Sequence, residues 1–415
     1  MKFARLIVVM AVVIAMTACS ASSGNLTNNI SFKKDISENE ESIIELEDAV
    51  NMSGLNILKQ RVKNNNDGNV IVSPVSIFCA FSLLANGADG NTKKEIEKAF
   101  CIESFEQQKL NESINRLMNT MNRKRDGENT GSINIYNSIW FNKGFTIKDS
   151  FLSTSKSYYN SDVFKKDFDR NSTVKDMNEW ASKKSDGLIN NPFKELNEQD
   201  RIVLINLLNF KGKWVNEFDK QQTKEDNFYL KDNTPIKVDM MNRKGMMSYY
   251  EDDEVKSGIL NYYNGRMIVL LPKGNIDEYI NHLSTKKIKS YTENASNSIV
   301  QLKFPKFNLE YKEDMSDILK QMGIKHAFNP AQASFKMLHE DSEPLWLGNV
   351  LHDCVIKVDE EGTSGAALTA LNLCGAAPPK GSFELYINKP FLFIIQDQSG
   401  TCLFIGKVDN IMKSM

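Results

Sequence analysis

Cysteine, histidine and charge imbalance are what this chain has least of. It holds six cysteines and four histidines in 415 residues, with no Cys-x-x-Cys pair and no His-Glu-x-x-His spacing. That excludes zinc ribbons and zinc hydrolases built on those motifs, and neither a metal nor a cofactor is expected. Apart from Cys19, the cysteines (Cys79, Cys101, Cys354, Cys374 and Cys402) are odd in number, so free thiols are expected rather than a disulfide framework. Lysine and arginine (51) nearly balance aspartate and glutamate (53), leaving a net charge of −2 and no basic excess for a nucleic-acid backbone. No Gly-x-Ser-x-Gly elbow or phosphate-binding glycine loop occurs, so an enzyme is not expected. What is present is 41% hydrophobic residues in a chain long enough to bury about three quarters of its unfolded surface, a core that needs no staples.

Long apolar runs are also missing. The run at 6–16, preceded by Met-Lys-Phe-Ala-Arg, is too short to span a bilayer and has the length of a secretory core. It ends in Met16-Thr17-Ala18-Cys19, similar to the bacterial lipobox, in which small residues precede a cysteine that is lipidated and becomes the new N-terminus. A plain secretory cleavage site would look much the same. Residues 1–18 are therefore read as a lipoprotein signal peptide, Cys19 as the lipidation site, and 19–42, dominated by Ser, Asn, Lys, Asp and Glu, as a mobile tether. The protein is expected to be exported and held by lipid on the outer face of a bacterial membrane, or otherwise extracellular.

From residue 43 onward the pattern is that of one large mixed α/β domain, with no fixed-period repeat and no linker. Leu46, Val50, Leu55, Leu58 and Val62 mark an amphipathic helix, followed by the strand Val70-Ile71-Val72. Ser73 before Pro74 starts the next helix, which Gly87 ends. Ile133, Ile135, Ile139 and Phe141 alternate as a strand, and 202–210 is apolar on both faces, as a central covered strand should be. Asn206 interrupts that run. A buried amide costs about 1–3 kcal/mol unless it finds partners, so Asn206 must be hydrogen-bonded. Period-2 counting from Val350 puts His352 on the face of Ile356 and Val358, which reads most simply as a satisfied core histidine.

The segment 362–381 is long for a connection in a compact domain, and such segments are usually functional. Its early part has small residues and no proline, so nothing prevents it from entering a sheet. As a strand it would show Thr363, Gly365, Ala367, Thr369, Leu371 and Leu373 on one face and Ser364, Ala366, Leu368, Ala370, Asn372 and Cys374 on the other. It can thus be read as a surface loop or as a strand awaiting a gap.

At this point the residues resemble the serpin family. Glu360-Glu361-Gly362-Thr363 with the small run after it resembles the inhibitory-serpin hinge. Asn69-Val70, Ser73-Pro74-Val75-Ser76-Ile77 and 86–92 resemble the family's first block; Asn206, Phe210-Lys211-Gly212-Lys213-Trp214, Phe218 and Thr223 resemble its central one. Phe304-Pro305-Lys306-Phe307, Asn388-Lys389-Pro390-Phe391 and Phe404-Ile405-Gly406-Lys407-Val408 continue the match. The resemblance implies a large five-stranded sheet, two smaller sheets, surrounding helices and an exposed reactive loop. It implies a suicide-substrate inhibitor of serine proteases: the protease serine attacks the loop and is acylated by it, and the freed strand enters the sheet before the ester hydrolyses. The hinge would be Glu360, Gly362, Thr363, Gly365, Ala366 and Ala367. The shutter, a polar cluster that must open, would be Ser73, Ser76, Asn206 and His352, and the breach Trp214 with Lys306, the latter paired to Glu360.

The sequence departs from the family in places. Leu368 stands where alanine is usual, Asn261-Tyr262 replaces Pro-Tyr, and the distance from hinge to Pro390 is a few residues longer than usual. Counting from the hinge sets the reactive bond at Ala376-Ala377, which suits an elastase-like or subtilisin-like protease; Leu373 or Cys374 as the cleaved position would favour chymotrypsin-like or cysteine proteases. The rival reading is a non-inhibitory member, a surface binding or carrier protein, whose hinge would carry bulky or charged residues. The expected partners are a target protease and a membrane, with no nucleic acid, and a monomer is expected.

Overall fold

The computed structural model describes residues 24–33, 40–64, 68–121, 131–189, 191–196, 200–363 and 381–411. The signal-peptide and Cys19 readings, and the readings at Gly365, Ala366, Ala367, Leu373, Cys374, Ala376 and Ala377, lie outside these residues.

Among them run nine α-helices: α1 (Glu40–Lys63), α2 (Pro74–Gly87), α3 (Gly90–Ala99), α4 (Gln107–Met121), α5 (Asp149–Tyr159), α6 (Asn171–Lys184), α7 (Ile276–His282), α8 (Thr285–Glu293) and α9 (Ser316–Gln321). The early strands are β1 (Val70–Val72), β2 (Ser132–Asn142), β3 (Asp162–Lys166), β4 (Ile202–Lys213), β5 (Lys224–Tyr229), β6 (Pro235–Glu251), β7 (Val255–Tyr262) and β8 (Gly265–Pro272). The later ones are β9 (Ser296–Pro305), β10 (Phe307–Asp314), β11 (Leu347–Val358), β12 (Gly362–Thr363), β13 (Ser382–Tyr386), β14 (Phe391–Asp397) and β15 (Cys402–Val408).

Five long strands and the two-residue β12 form one sheet in the order β10-β11-β12-β4-β2-β3. The other strands differ from the expectation of two smaller sheets. They form one nine-stranded sheet, because β6 is long enough to pair with β5 over 235–240, with β9 over 240–249 and with β7 over 248–251.

The first sheet is covered on both faces, as the apolar run at 202–210 requires. Val203, Ile205 and Leu207 pack with Trp140, Phe164, Met177 and Trp180 beneath α6. The alternate residues Ile202, Leu204, Leu208 and Phe210 face the main core. Helix α2 begins at Pro74 and is buried almost throughout, but Ser73 does not cap it with its hydroxyl. Gly54 of α1 lets the two helices meet, since a Cβ there would lie 2.2 Å from the Pro74 ring.

The tether reading fails for 24–33. Thr27 is fully buried, and Ile30 and Phe32 pack against the main core. The backbone is tied down by Leu26 N–H to the Val163 carbonyl at 2.7 Å and Lys33 N–H to the Ser157 carbonyl at 3.0 Å. A composition rich in Asn and Ser disguised three well-spaced anchors, Thr27, Ile30 and Phe32, whose burial outweighs the entropy of ordering so short an arm.

Candidate functional site

Strands β11 and β4 run parallel and pair directly from Leu347 opposite Ile202 to Asp353 opposite Leu207. Beyond that point β12 lies between them, with Gly362 opposite Lys213 and Thr363 opposite both Gly212 and Val358. The sheet is closed at one end and has accepted two residues of another strand at the other.

The chain enters through a tight turn. The Asp359 carboxylate accepts from the backbone N–H groups of Glu361 and Gly362 at 3.1 and 3.3 Å. Gly362 takes φ +153°, and any Cβ there would sit 2.1 Å from the Gly212 carbonyl oxygen, so only glycine fits. Thr363 follows at 2% exposure, its Oγ1 hydrogen-bonded to the Tyr262 hydroxyl at 2.7 Å. Glu360 is also buried. Lys306 Nζ lies 2.9 Å from one carboxylate oxygen, and Thr223 Oγ1 donates to the other at 2.8 Å. Burial pushes the Glu360 carboxyl upward, but the hydrogen bonds from Lys306 and Thr223 outweigh it and hold its pKa below the usual glutamate value. Losing Lys306 would leave this buried carboxylate without its counter-charge.

Trp214 sits beside this turn, 1% exposed. Its ring stacks on Tyr262 with centroids 4.1 Å apart, and its indole N–H donates to the Asp359 carbonyl at 3.0 Å. Its backbone N–H reaches the Glu361 carbonyl at 3.0 Å. Among the described residues, those read as hinge (Glu360, Gly362 and Thr363) and breach (Trp214 and Lys306) are therefore one contact group.

The residues read as shutter also meet, where β11 and β4 are closed. The Ser76 hydroxyl donates to Asn206 Oδ1, and Asn206 Nδ2 donates to the Ser76 carbonyl at 2.7 Å and to Asn137 Oδ1. Asn206 is thus satisfied, as required. His352 Nε2 accepts from the backbone N–H of Ser73 at 3.0 Å, with the Cys354 sulfur 3.1 Å away. His352 Nδ1, Ser73 Oγ and Asn137 Nδ2 are buried with no hydrogen-bond partner among the described residues. Each such group costs roughly 1–3 kcal/mol. The closed sheet therefore holds unsatisfied groups at the place where it would have to part.

Sequence reading missed three members of this arrangement. Asn137 fills the in-phase slot between Ile135 and Ile139, a polar break in an apolar alternation that was visible. Tyr262 was noted only as following a substituted proline, and its bond to Thr363 depends on strands far apart in sequence. Cys354 joins through its spacing of two from His352. It, Cys79, Cys101 and Cys402 are free thiols, as expected.

His352 is fully enclosed, and burial pushes its pKa down to about 3. An unfolded histidine titrates near 6.5, so its contribution to stability is complete above that pH and is lost on acidification toward 3, by about 1.4 kcal/mol per unit. Asp353 works the other way: burial, with help from Glu310, raises it to about 6, so it adds stability as pH falls below that value. The difference between wild type and His352→Gln isolates the imidazole. Urea melts at pH 7 and pH 5 should show the wild type losing about 2 kcal/mol more than the variant; an identical pH dependence would contradict the burial of a neutral ring.

Comparison with known proteins agrees with this geometry. The family model described as Serpin (serine protease inhibitor) matches residues 48–411. The chain belongs to the serpin family, most of whose members are protease inhibitors and some of which are not. It is 29% identical to mouse alpha-1-antitrypsin 1-5 over 384 residues, 90% of this chain and 91% of that one. It is 31% identical to an uncharacterised serpin-like protein of Methanosarcina acetivorans, covering 83% and 82% of the two chains. The native crystal structure of the thermophilic serpin tengpin superposes with a TM-score of 0.83 at 29% identity, over 93% of this chain and 99% of that one.

Proposed function

We propose that this chain is an irreversible suicide-substrate inhibitor of serine proteases, exported and lipid-anchored through Cys19, and acting as a monomer. The observation that carries the reading is the register of Thr363 between Gly212 and Val358. Extending it residue by residue down the sheet sets Thr369 opposite both Asn206 and His352, and Leu371 and Leu373 opposite Leu204 and Ile202. The one inward hydroxyl of the segment beyond Thr363 would thus meet the shutter, where His352 Nδ1 has no partner among the described residues, and the two leucines would meet the apolar row. A loop that served only as a tether has no reason to match the sheet position by position.

In the reaction, the protease serine attacks the Ala376 carbonyl, the peptide bond to Ala377 breaks, and the amine of Ala377 leaves with the C-terminal piece while residue 376 stays esterified. In the extended register, Leu373 is the last residue opposite β4, and residue 376 clears the sheet by three residues, about 10 Å. That supports Ala376 over Leu373 or Cys374, because the ester has to lie beyond the end of the sheet for the enzyme to be dragged against it. Small residues at the cleaved bond suit elastase-like or subtilisin-like enzymes.

Incubation with a panel of purified serine and cysteine proteases should give a band at the summed mass that survives SDS and heat for at least one elastase-like or subtilisin-like enzyme. Mass spectrometry of the released C-terminal peptide should begin at Ala377. Clean cleavage by every enzyme with no such band would favour the non-inhibitory carrier, and a band only with cysteine proteases would move the target class.

A further inference from the structure

The docked arm at 24–33 joins the chain's N-terminal side to one end of the mobile sheet. Gly24 accepts from Lys165 N–H at 3.2 Å, Leu26 N–H donates to the Val163 carbonyl at 2.7 Å, and Asn25 bridges Phe164 in antiparallel sense. Val163 N–H in turn donates to Thr27 Oγ1 at 3.3 Å. Beyond this rung the arm crosses to the helices, where Asn115 Nδ2 donates to the Lys33 carbonyl at 3.1 Å. The arm thus extends the outer edge of β3 and leaves, toward the N-terminus, past Lys166.

The registers locate that exit. β3 lies beside residues 138–142 of β2, with Lys166 opposite Asn142. Phe141 of β2 lies opposite Ile202 of β4. Gly24 is therefore in the row of Ile202, and the hinge, opposite Gly212, is ten residues, about 33 Å, away along β4. A strand entering between β11 and β4 from Thr363 ends in that same Ile202 row. Counted across the sheet, the inserted strand and the arm are four strand spacings apart, about 19 Å. Cys19 precedes Gly24 by five residues, a reach of about 17 Å at most.

We propose that the lipid bilayer lies against the Ile202 end of the sheet, so that the hinge end is held away from the membrane and trapping carries the protease onto the lipid surface. This rests on the reading of Cys19 as lipidated, and its second half on loop insertion. A free 24-residue tether would leave the domain at all orientations; an arm docked within five residues of the anchor keeps Gly24, and with it the Ile202 end, within about 17 Å of the bilayer. The partner is the lipid surface itself, met at the pole to which the ester is delivered.

The test uses the full-length lipoprotein in phosphatidylglycerol–phosphatidylethanolamine vesicles with an energy-transfer acceptor on the headgroups. Donors are placed at Asp169→Cys, beyond the end of β3, or at Gln221→Cys, beside the hinge, with Cys101 and Cys374 changed to serine. Transfer should be severalfold greater from position 169 than from 221, and Leu26→Pro with Thr27→Glu, which release the arm, should bring the two together. A donor-labelled elastase should gain transfer as the SDS-stable complex forms. Equal transfer from 169 and 221 in the docked protein overturns the proposal even if complexes form normally, and so does failure to associate with vesicles. Unequal transfer without any complex would sink the inhibitor reading alone and leave the orientation standing.

Discussion

Intact protein should melt well below the same protein nicked between residues 373 and 381. In the intact sheet, β11 and β4 share one parallel ladder over only seven residues of β11. Insertion exchanges that single ladder for two antiparallel ones, which pair slightly better per residue. It also supplies Thr369 to a histidine nitrogen that has no partner among the described residues and buries Leu371 and Leu373. A gain of about 10 kcal/mol, comparable with the whole stability of an ordinary domain, corresponds to a rise of about 12 °C in a chain this long, given roughly 2.1 cal/mol/K per residue. Differential scanning of intact and protease-nicked samples measures it directly. Identical transitions would mean that the native fold stores nothing, and with that the trapping mechanism loses its driving force. Thr369→Val refines the result: if the hydroxyl meets His352, the nicked form should lose about 1–3 kcal/mol of its gain, with the intact form unaffected.

The fold was legible in the sequence wherever a local rule decided it. Ser73-Pro74 set the start of α2, alternation set β2, and the doubly apolar run at 202–210 set a strand covered on both faces. Of the polar residues on those covered strands, Asn206 is buried and partnered as a buried amide requires, whereas His352 is buried but not satisfied, its Nδ1 having no partner among the described residues. Features that depend on register between distant strands were not legible. Tyr262 and Thr363 are 101 residues apart, and nothing local to either announces the bond. The joining of the two smaller sheets through β6 escaped notice for the same reason, as did the docking of 24–33, whose polar composition satisfied every rule for a tether while three side chains contradicted it.

Thr363→Arg should turn inhibitor into substrate. Thr363 carries the first side chain of the entering strand to be enclosed, at 2% exposure, and its hydroxyl rests on Tyr262, which is itself held by the Trp214 stack. A guanidinium at that position would be enclosed once the strand is in, and the carboxylates of the turn are already engaged, Glu360 by Lys306 and Thr223 and Asp359 by the backbone N–H groups of Glu361 and Gly362. Burying an unpaired cation costs several kcal/mol. The acyl-enzyme has two fates, insertion or hydrolysis, and slowing insertion by about 3 kcal/mol shifts the partition more than a hundredfold toward hydrolysis. On gels the SDS-stable band should vanish while cleaved protein accumulates at the wild-type rate, because attack on the loop itself is untouched. Thr363→Ser, small and able to keep the bond to Tyr262, should retain the complex. The nicked arginine variant should also fail to show the rise in melting temperature, which ties both experiments to one event. Unchanged complex yield would mean that residue 363 need not stay enclosed for the loop to insert, and would contradict the hinge assignment.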